Sequence, residues 1–186
     1  MTKAFHKITA GLLLALLAFA GMNQAMAQGF NIPKMIVTSK AFASGDVIPV
    51  KYTSHGDNVQ PDFTITGAPD NTVAYAVIFH DIEVAIGGTG DVLHWLAWNI
   101  PSAEIPEGSL PAGSVTGANM MRQNTYFGPG APYADRYHHY VFEFYALSRE
   151  LDIPATSSRD ELIAALNEPG VVIAKAAYVG RYANAQ

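Results

Sequence analysis

Two polar side chains stand beside long apolar runs in the middle of the sequence. Asp81 comes shortly after the run Val73–Phe79, and His94 opens a second apolar run that ends at Ile100. Runs of this length with β-branched and aromatic residues are typical of strands buried on both faces. A carboxylate and an imidazole at the mouth of such a core would line a pocket and offer it a charge and a hydrogen-bond donor. The sequence therefore predicts a functional site where the ends of these two strands meet, at the mouth of the core.

Residues 119–139 are the longest stretch that resists regular structure. The segment Tyr126–Tyr133 contains prolines and glycines in several places, which excludes a helix interior. A loop of more than about a dozen residues inside a domain is usually functional or mobile. The segment ends at His138, where the next predicted strand begins with a histidine.

The elements that must position these side chains are predominantly strands. Turn residues separate them, and one helix is signalled by Ser158 and Glu161, which form a capping box ahead of the apolar stripe that ends at Leu166. The last strand is apolar on both faces, which predicts a central place in its sheet. Many short strands at this spacing predict a mostly β fold, a sandwich or barrel with little helix. The predicted strands are 35–38, 47–53, 63–66, 73–79, 94–100, 140–147 and 171–182.

Composition restricts the class of protein. Lys3 and Lys7, a short apolar stretch and the Ala25-Met26-Ala27 pattern predict a secretory signal peptide over residues 1–27, followed by one domain over residues 28–186. We therefore expect a periplasmic or secreted protein. The chain is acidic, with a formal net charge of −5 and no basic cluster, which argues against nucleic-acid binding. It has no cysteine, which excludes disulfides, thiol chemistry and a lipid-anchored cysteine.

An ordered series of short motifs runs through the chain and resembles the phosphatidylethanolamine-binding protein family, in particular its bacterial Raf-kinase-inhibitor-like branch. The resemblance covers about residues 35–182. It implies a β-sandwich of a large central sheet and a smaller sheet with a few short helices. The motifs are Gly56-x-Asn58-x-x-Pro61, Asp81 after a buried strand, His94-Trp95, Asn99-Ile100-Pro101, Tyr126-x-Gly128-Pro129-x-x-Pro132 and His138-x-Tyr140.

The resemblance also implies a small anion-binding pocket at one end of the large sheet. Phosphate, a phosphoryl head group or an acetate-like anion would bind there without being converted, and no cofactor is implied. His94 and Tyr126 would donate to an anionic oxygen, and Gly128 would let a backbone amide approach it. Asp81 would orient the imidazole, keep it protonated or receive an ammonium group. His138 completes the implied set, and a homodimer is left open.

The sequence departs from the family pattern at the pocket itself. Relatives carry Asp-Pro-Asp-Ala-Pro where this chain has Asp81-Ile82-Glu83-Val84-Ala85, so the second acid is lengthened and both prolines are absent. Val92 stands where relatives often have an aromatic residue. We therefore expect a differently shaped segment after Asp81.

Other interpretations of the same residues stay open. Asp81 is also consistent with a turn cap, His94 with a core histidine, and Tyr126-x-Gly128 with a rigid turn. A hydrolase has little support, because the sequence contains no Gly-x-Ser-x-Gly elbow. A zinc or copper site is a further alternative. Its candidate donors are His80, Asp81, Asp91, His94, His138 and His139.

Overall fold

Eight strands form two antiparallel sheets in the computed structural model, which describes residues 33–132 and 136–184. The predicted signal peptide and its junction with the domain lie outside the described residues. The small sheet has the order β1-β2-β5 and the large sheet the order β6-β4-β3-β7-β8. This architecture confirms the predicted mostly β sandwich. The strands are β1 (Ile36–Thr38), β2 (Phe63–Thr66), β3 (Ala74–Ile86), β4 (Gly90–Ile100), β5 (Glu104–Ile105), β6 (Val115–Gly117), β7 (His138–Leu147) and β8 (Val172–Tyr182).

The main core lies between the two sheets and is built from aromatic rings. Phe63 of the small sheet is fully buried, and its ring centroid lies 4.9 Å from those of Phe142 and Phe144 on the large sheet. Phe79 is the cross-strand neighbour of Phe142, and their rings stack with centroids 3.8 Å apart. Burial of large rings from both sheets supplies the main stabilisation of a chain that has no disulfides.

The opposite face of the large sheet is covered by the helix α1 (Arg159–Leu166). Its buried Leu162 and Leu166 belong to a second apolar cluster with Ile78 and Trp98 of the sheet. The predicted capping box is present, since the Ser158 side chain accepts from the backbone N–H of Glu161 and the Glu161 carboxylate accepts from the backbone N–H of Ser158. Both faces of the central strands are therefore buried, as their apolar runs predict.

The alternation of side chains along β3 separates two neighbouring polar residues. His80 points towards the helix-covered face, where it contacts Asp91, and Asp81 points towards the other face. Asp81 pairs directly with Tyr140 of β7. The Asp81 carboxylate and the Tyr140 phenol therefore lie side by side at one end of the large sheet, on the face that looks into the sandwich.

An irregularity in β4 brings His94 to the same place. The β3–β4 register runs from Phe79 opposite Trp95 to His80 opposite Leu93, so His94 is the extra residue of a β-bulge. Regular alternation would send His94 and Trp95 to opposite faces. The bulge instead leaves both of them on the face that looks into the sandwich. There the His94 ring contacts Phe79 and the Trp95 ring contacts Tyr126.

Three local expectations are corrected by the structure. Residues 47–53 are not a strand, because they form a short 3-10 helix at Val50–Tyr52 with a single bridge at Val47. The strand predicted to end at residue 79 continues through Ile82–Ile86 as part of β3, up to a turn at residues 87–89. The last strand, β8, lies at the edge of its sheet.

The edge position of β8 has a physical explanation despite its apolar character. A non-strand segment runs along its outer edge, where Gly45 N–H donates to Val179 and Ile48 N–H donates to Arg181. Ile48 also packs so closely on Gly180 that a Cβ there would lie 2.4 Å from its side chain. The strand is therefore covered by irregular backbone, and the sequence pattern does not distinguish this cover from a neighbouring strand.

Candidate functional site

A cavity of about 420 Å³ opens at the end of the large sheet where β3, β4 and β7 meet the loops after β6. Its inner wall carries Asp81, His94 and Tyr140, which are almost completely buried. The rest of the wall is mostly apolar. The further lining side chains include Val84, Ile86, Val92, Met120, Phe127 and Pro132, with Ser54, His55 and Asn184 as polar members.

Asp81 is held by donors from three directions. Its Oδ2 accepts from Nδ1 of His138 at 2.7 Å, and its Oδ1 accepts from the backbone N–H of Glu83 at 2.9 Å. The Tyr140 side chain also hydrogen-bonds to this carboxylate. His138 is completely buried, so the pair is sheltered from water. The carboxylate is thus strongly bonded within the protein before any ligand arrives.

Tyr140 connects the carboxylate to the long loop. Its hydroxyl accepts from the backbone N–H of Ala131 at 3.0 Å while it hydrogen-bonds to Asp81. Burial and the nearby charge of Asp81 raise the pKa of Tyr140 far above the usual phenol value. This phenol therefore stays neutral and fixes the loop against β7.

His94 is clamped to the loop by two hydrogen bonds with Phe127. Its Nδ1 donates to the Phe127 carbonyl at 2.7 Å, and its own backbone carbonyl accepts from Phe127 N–H at 3.1 Å. The two rings stack with centroids 5.5 Å apart. Because Nδ1 carries the proton of the neutral ring, Nε2 is an acceptor in that state and a donor only in the imidazolium. Burial lowers the pKa of His94, and the bond to Phe127 opposes this in part.

Tyr126 does not lie in the cavity, contrary to its expected role as a ligand donor. Its ring is in the sandwich core, stacked on Phe79 at 5.4 Å, and its hydroxyl donates to the backbone carbonyl of Tyr52 at 2.8 Å. Burial raises its pKa well above the usual phenol value. The phenol of the cavity wall is Tyr140 instead, which the sequence signals by its place two residues after His138 on one strand face.

Gly128 has a packing role rather than the expected contact with a ligand. Its N–H donates to Oδ1 of Asn58 at 2.7 Å. A Cβ at this position would lie 2.4 Å from the Tyr52 carbonyl and 2.8 Å from Thr53. The glycine therefore lets the loop rest on residues 52–58, and the Gly56-x-Asn58 motif supplies the partner that holds it.

Glu83, the second acid of the segment that follows Asp81, lies outside the cavity lining. Val92 lines the cavity. Glu83 accepts from Nδ1 of His139 at 2.7 Å and from Arg136 at 3.0 Å, at the exposed surface. The hydrogen bond from His139 lowers the pKa of Glu83. The lengthened acid is thus bound in surface pairs and does not line the cavity.

The candidate metal donors are distributed over different pairs. Among the described residues, no group of three or more His, Asp or Glu side chains is placed to hold a metal ion. The arrangement therefore gives no support to the zinc or copper alternative. The pairs are His80–Asp91, which Arg159 also joins, His138–Asp81 and His139–Glu83.

Comparison with known proteins identifies the family to which this chain is related. The family model described as "Phosphatidylethanolamine-binding protein" matches residues 38–183. A UPF0098 protein of Pyrococcus horikoshii is 35% identical over 180 residues, which cover 92% of this chain and 87% of the relative. A Mycobacterium tuberculosis relative, named as a candidate lipoprotein, is 33% identical over 122 residues, 64% of this chain and 59% of its own.

A solved structure agrees with the sequence relatives. YbcL of Escherichia coli, described as a member of the mammalian PEBP family, superposes with a TM-score of 0.73 at 27% identity, over 81% of this chain and 98% of its own. No helix among the described residues is long and apolar enough to cross a membrane. The match along most of the sequence and the shared sandwich lead to one conclusion: the chain belongs to the phosphatidylethanolamine-binding protein family.

Proposed function

We propose that this protein binds a small ligand with an anionic head group and an apolar portion, and releases it unchanged. The observation that supports this most directly is the placement of His94. Its Nδ1 is committed to the Phe127 carbonyl inside a cavity with a mostly apolar wall, so Nε2 is the ring nitrogen left to meet a ligand. In the imidazolium state this nitrogen donates to an anionic oxygen, as a phosphoryl or carboxylate head group requires.

The neighbouring carboxylate does not argue for a cationic ligand. Both oxygens of Asp81 already accept hydrogen bonds, from His138 and from Glu83 N–H, and Tyr140 bonds to the same group. An ammonium group would have to displace or share these donors. Asp81 is better suited to hold the cavity wall and to favour the charged form of His94, towards which its charge acts.

The proposal that the protein is not an enzyme rests on the hydrogen bonding of the serine hydroxyl in the cavity wall. Ser54 is the serine of the lining, and its Oγ donates to the Pro129 carbonyl at 3.1 Å. A serine nucleophile needs a base that accepts its proton, and this proton is directed to a backbone carbonyl. His94 is held by Phe127 and has no hydroxyl partner of this kind among its hydrogen bonds in the described part of the chain.

Calorimetric titration with inorganic phosphate and with phosphoethanolamine tests the binding. We expect weak binding by the natural protein and a loss of at least tenfold in affinity for H94A and H94Q. H139A is the matched control, because His139 is an exposed histidine of the same end that contacts Glu83 rather than the cavity. Equal affinity of H94Q and the natural protein, with both folded by circular dichroism, would exclude the assigned site. Recovery of unchanged phosphoethanolamine, followed by phosphorus NMR, tests the absence of turnover.

The proposal also includes export from the cytoplasm. It is supported by the leader pattern in residues 1–27 and by a relative whose name describes a candidate lipoprotein. Expression in a Gram-negative host followed by osmotic shock and N-terminal sequencing tests it. A released protein that starts at Gln28 would support export, and a cytoplasmic protein that keeps Lys3 would contradict it.

A further inference from the structure

One exposed methionine lines the cavity, and a second exposed methionine follows it directly in the chain. Met120 lines the cavity and is 46% exposed, and its neighbour Met121 is 52% exposed but is not part of the lining. Met35, the remaining methionine in the described part of the chain, is 7% exposed in the sandwich core. The described residues therefore contain one accessible thioether in the cavity lining, one accessible thioether beside it in the chain and one sheltered thioether in the core.

The loop that carries the two methionines is fixed by its own hydrogen bonds. Oδ1 of Asn119 accepts from the N–H groups of Met121 at 2.9 Å and Gln123 at 3.1 Å, and Nδ2 of Asn119 donates to Thr125. Met120 N–H donates to Leu93 of β4 at 2.9 Å. The backbone is thus bonded to itself and to the sheet, while the two side chains are left in solvent. Exposed thioethers in such a position are accessible to dissolved oxidants.

We infer that Met120 is an oxidation site through which peroxide weakens ligand binding in the cavity. The sulfur lone pair attacks one oxygen of hydrogen peroxide, an S–O bond forms and the O–O bond breaks. The departing oxygen takes the proton of the transferred oxygen and leaves as water. The sulfur is oxidised by two electrons to the sulfoxide, and the peroxide is reduced by the same two electrons.

The chemical change matters because of where Met120 lies. A sulfoxide is polar and carries a strong acceptor oxygen, whereas the wall beside it is formed by apolar side chains such as Ile86 and Phe127. An apolar ligand portion that covers this oxygen would remove it from water without offering a donor. Oxidation of Met120 therefore weakens binding of such a ligand, and oxidation of Met121 does not. This consequence rests on the proposed function, whereas the order of oxidation does not.

Peptide mass spectrometry of the folded, full-length protein during a hydrogen peroxide time course tests the order. We expect Met120 and Met121 to be oxidised at least tenfold faster than Met35. The same course in guanidinium chloride should bring the three rates together, since unfolding removes the shelter of Met35. Oxidation of Met35 at the rate of Met120 in the folded protein would overturn the inference.

Binding of 1-anilinonaphthalene-8-sulfonate, which joins an anionic group to apolar rings, tests the consequence. The natural protein, M120L and M121L are each compared with themselves before and after peroxide, so a changed starting affinity in a variant does not enter the result. We expect about a tenfold loss in the natural protein and in M121L, and less than a twofold loss in M120L. A loss in M120L as large as in M121L would overturn the role of Met120.

A phosphate titration on the same samples separates the two proposals. Phosphate is small enough to contact His94 without covering Met120, so its affinity should change less than twofold after peroxide. If the untreated protein binds neither phosphate nor the naphthalene sulfonate, the proposed function and the binding consequence both fail. The measured order of thioether oxidation still decides whether Met120 is an accessible oxidation site in the folded protein.

Discussion

The affinity of the cavity for an anion should increase as the pH falls, because His94 must gain a proton to donate from Nε2. Burial lowers the pKa of His94 in the free protein, and its Nδ1–H is already given to Phe127. The ring is therefore mainly neutral at pH 7. An anion at Nε2 favours the imidazolium and raises this pKa, so binding takes up a proton. By linkage, affinity rises as the pH falls towards the pKa of the free protein and levels off below it.

The expected magnitude follows from one proton per bound anion. Between the pKa of His94 in the free protein and its higher value in the complex, affinity should change by up to about tenfold per pH unit, or about 1.4 kcal/mol. Sulfate is the suitable probe, because its charge does not change between pH 5 and 8, whereas that of phosphate does. Calorimetry at several pH values in two buffers with different heats of ionisation counts the protons directly.

Two variants decide whether His94 is the group responsible. H94Q keeps a polar side chain that does not titrate, so its sulfate affinity should be weak and flat with pH. His55 also lines the cavity, with its Nε2 3.0 Å from the Gly130 carbonyl, and H55Q should keep the pH slope. An affinity that is flat or rises with pH in the natural protein would refute the reasoning. A slope that survives in H94Q but vanishes in H55Q would assign the proton to His55.

Three further predictions concern stability. Folding lowers the pKa of His94, so its contribution to the free energy of unfolding is complete above the unfolded pKa of about 6.5 and is lost as the pH falls towards the folded pKa. The urea midpoint of the natural protein should therefore fall more steeply from pH 7.5 to 5 than that of H94Q. G128A should lose about 1–3 kcal/mol, since its Cβ would clash with the Tyr52 carbonyl, and an unchanged melting temperature would contradict this packing. N99A removes the two hydrogen bonds between Asn99 and Leu151, so its free energy of unfolding, measured by chemical denaturation, should be about 2 kcal/mol lower. N99G lacks the same hydrogen bonds but adopts the positive φ of this position without strain, so it should recover only the part of the loss that is due to backbone strain.

The strands were predictable where burial determines the residue types. The apolar runs of β3, β4 and β7 follow from cover on both faces, and Phe63–Thr66 coincides with β2. The strand β8 was also predicted, but its predicted central position is wrong because irregular backbone covers its outer edge. The predicted strand over residues 47–53 is wrong because a short 3-10 helix replaces pairing at Val50–Tyr52. Apolar content indicates that a segment is buried, but it does not indicate which element covers it.

The placement of the candidate site residues was predictable only in part. Asp81 and His94 were assigned to the cavity and lie in its wall, and His138 contacts Asp81 from behind it. Tyr126 and Tyr140 are both phenols near the same loop, and composition does not distinguish the core ring from the cavity ring. Strand register does, because Tyr140 lies directly opposite Asp81. The alternation of side chains along a strand places Tyr140 on the same face as His138, and this rule would have identified Tyr140 from the sequence.

The position of His94 shows why the remaining step required coordinates. A strand without irregularity would place either His94 or Trp95 on the sandwich face, and the other beneath α1. The bulge places both on the same face, so one strand supplies a core ring and a cavity imidazole in consecutive residues. The loop that binds Phe127 to His94 then satisfies the backbone carbonyl of the bulged residue. The irregularity that a sequence pattern cannot show is therefore the feature that joins the packed core to the cavity.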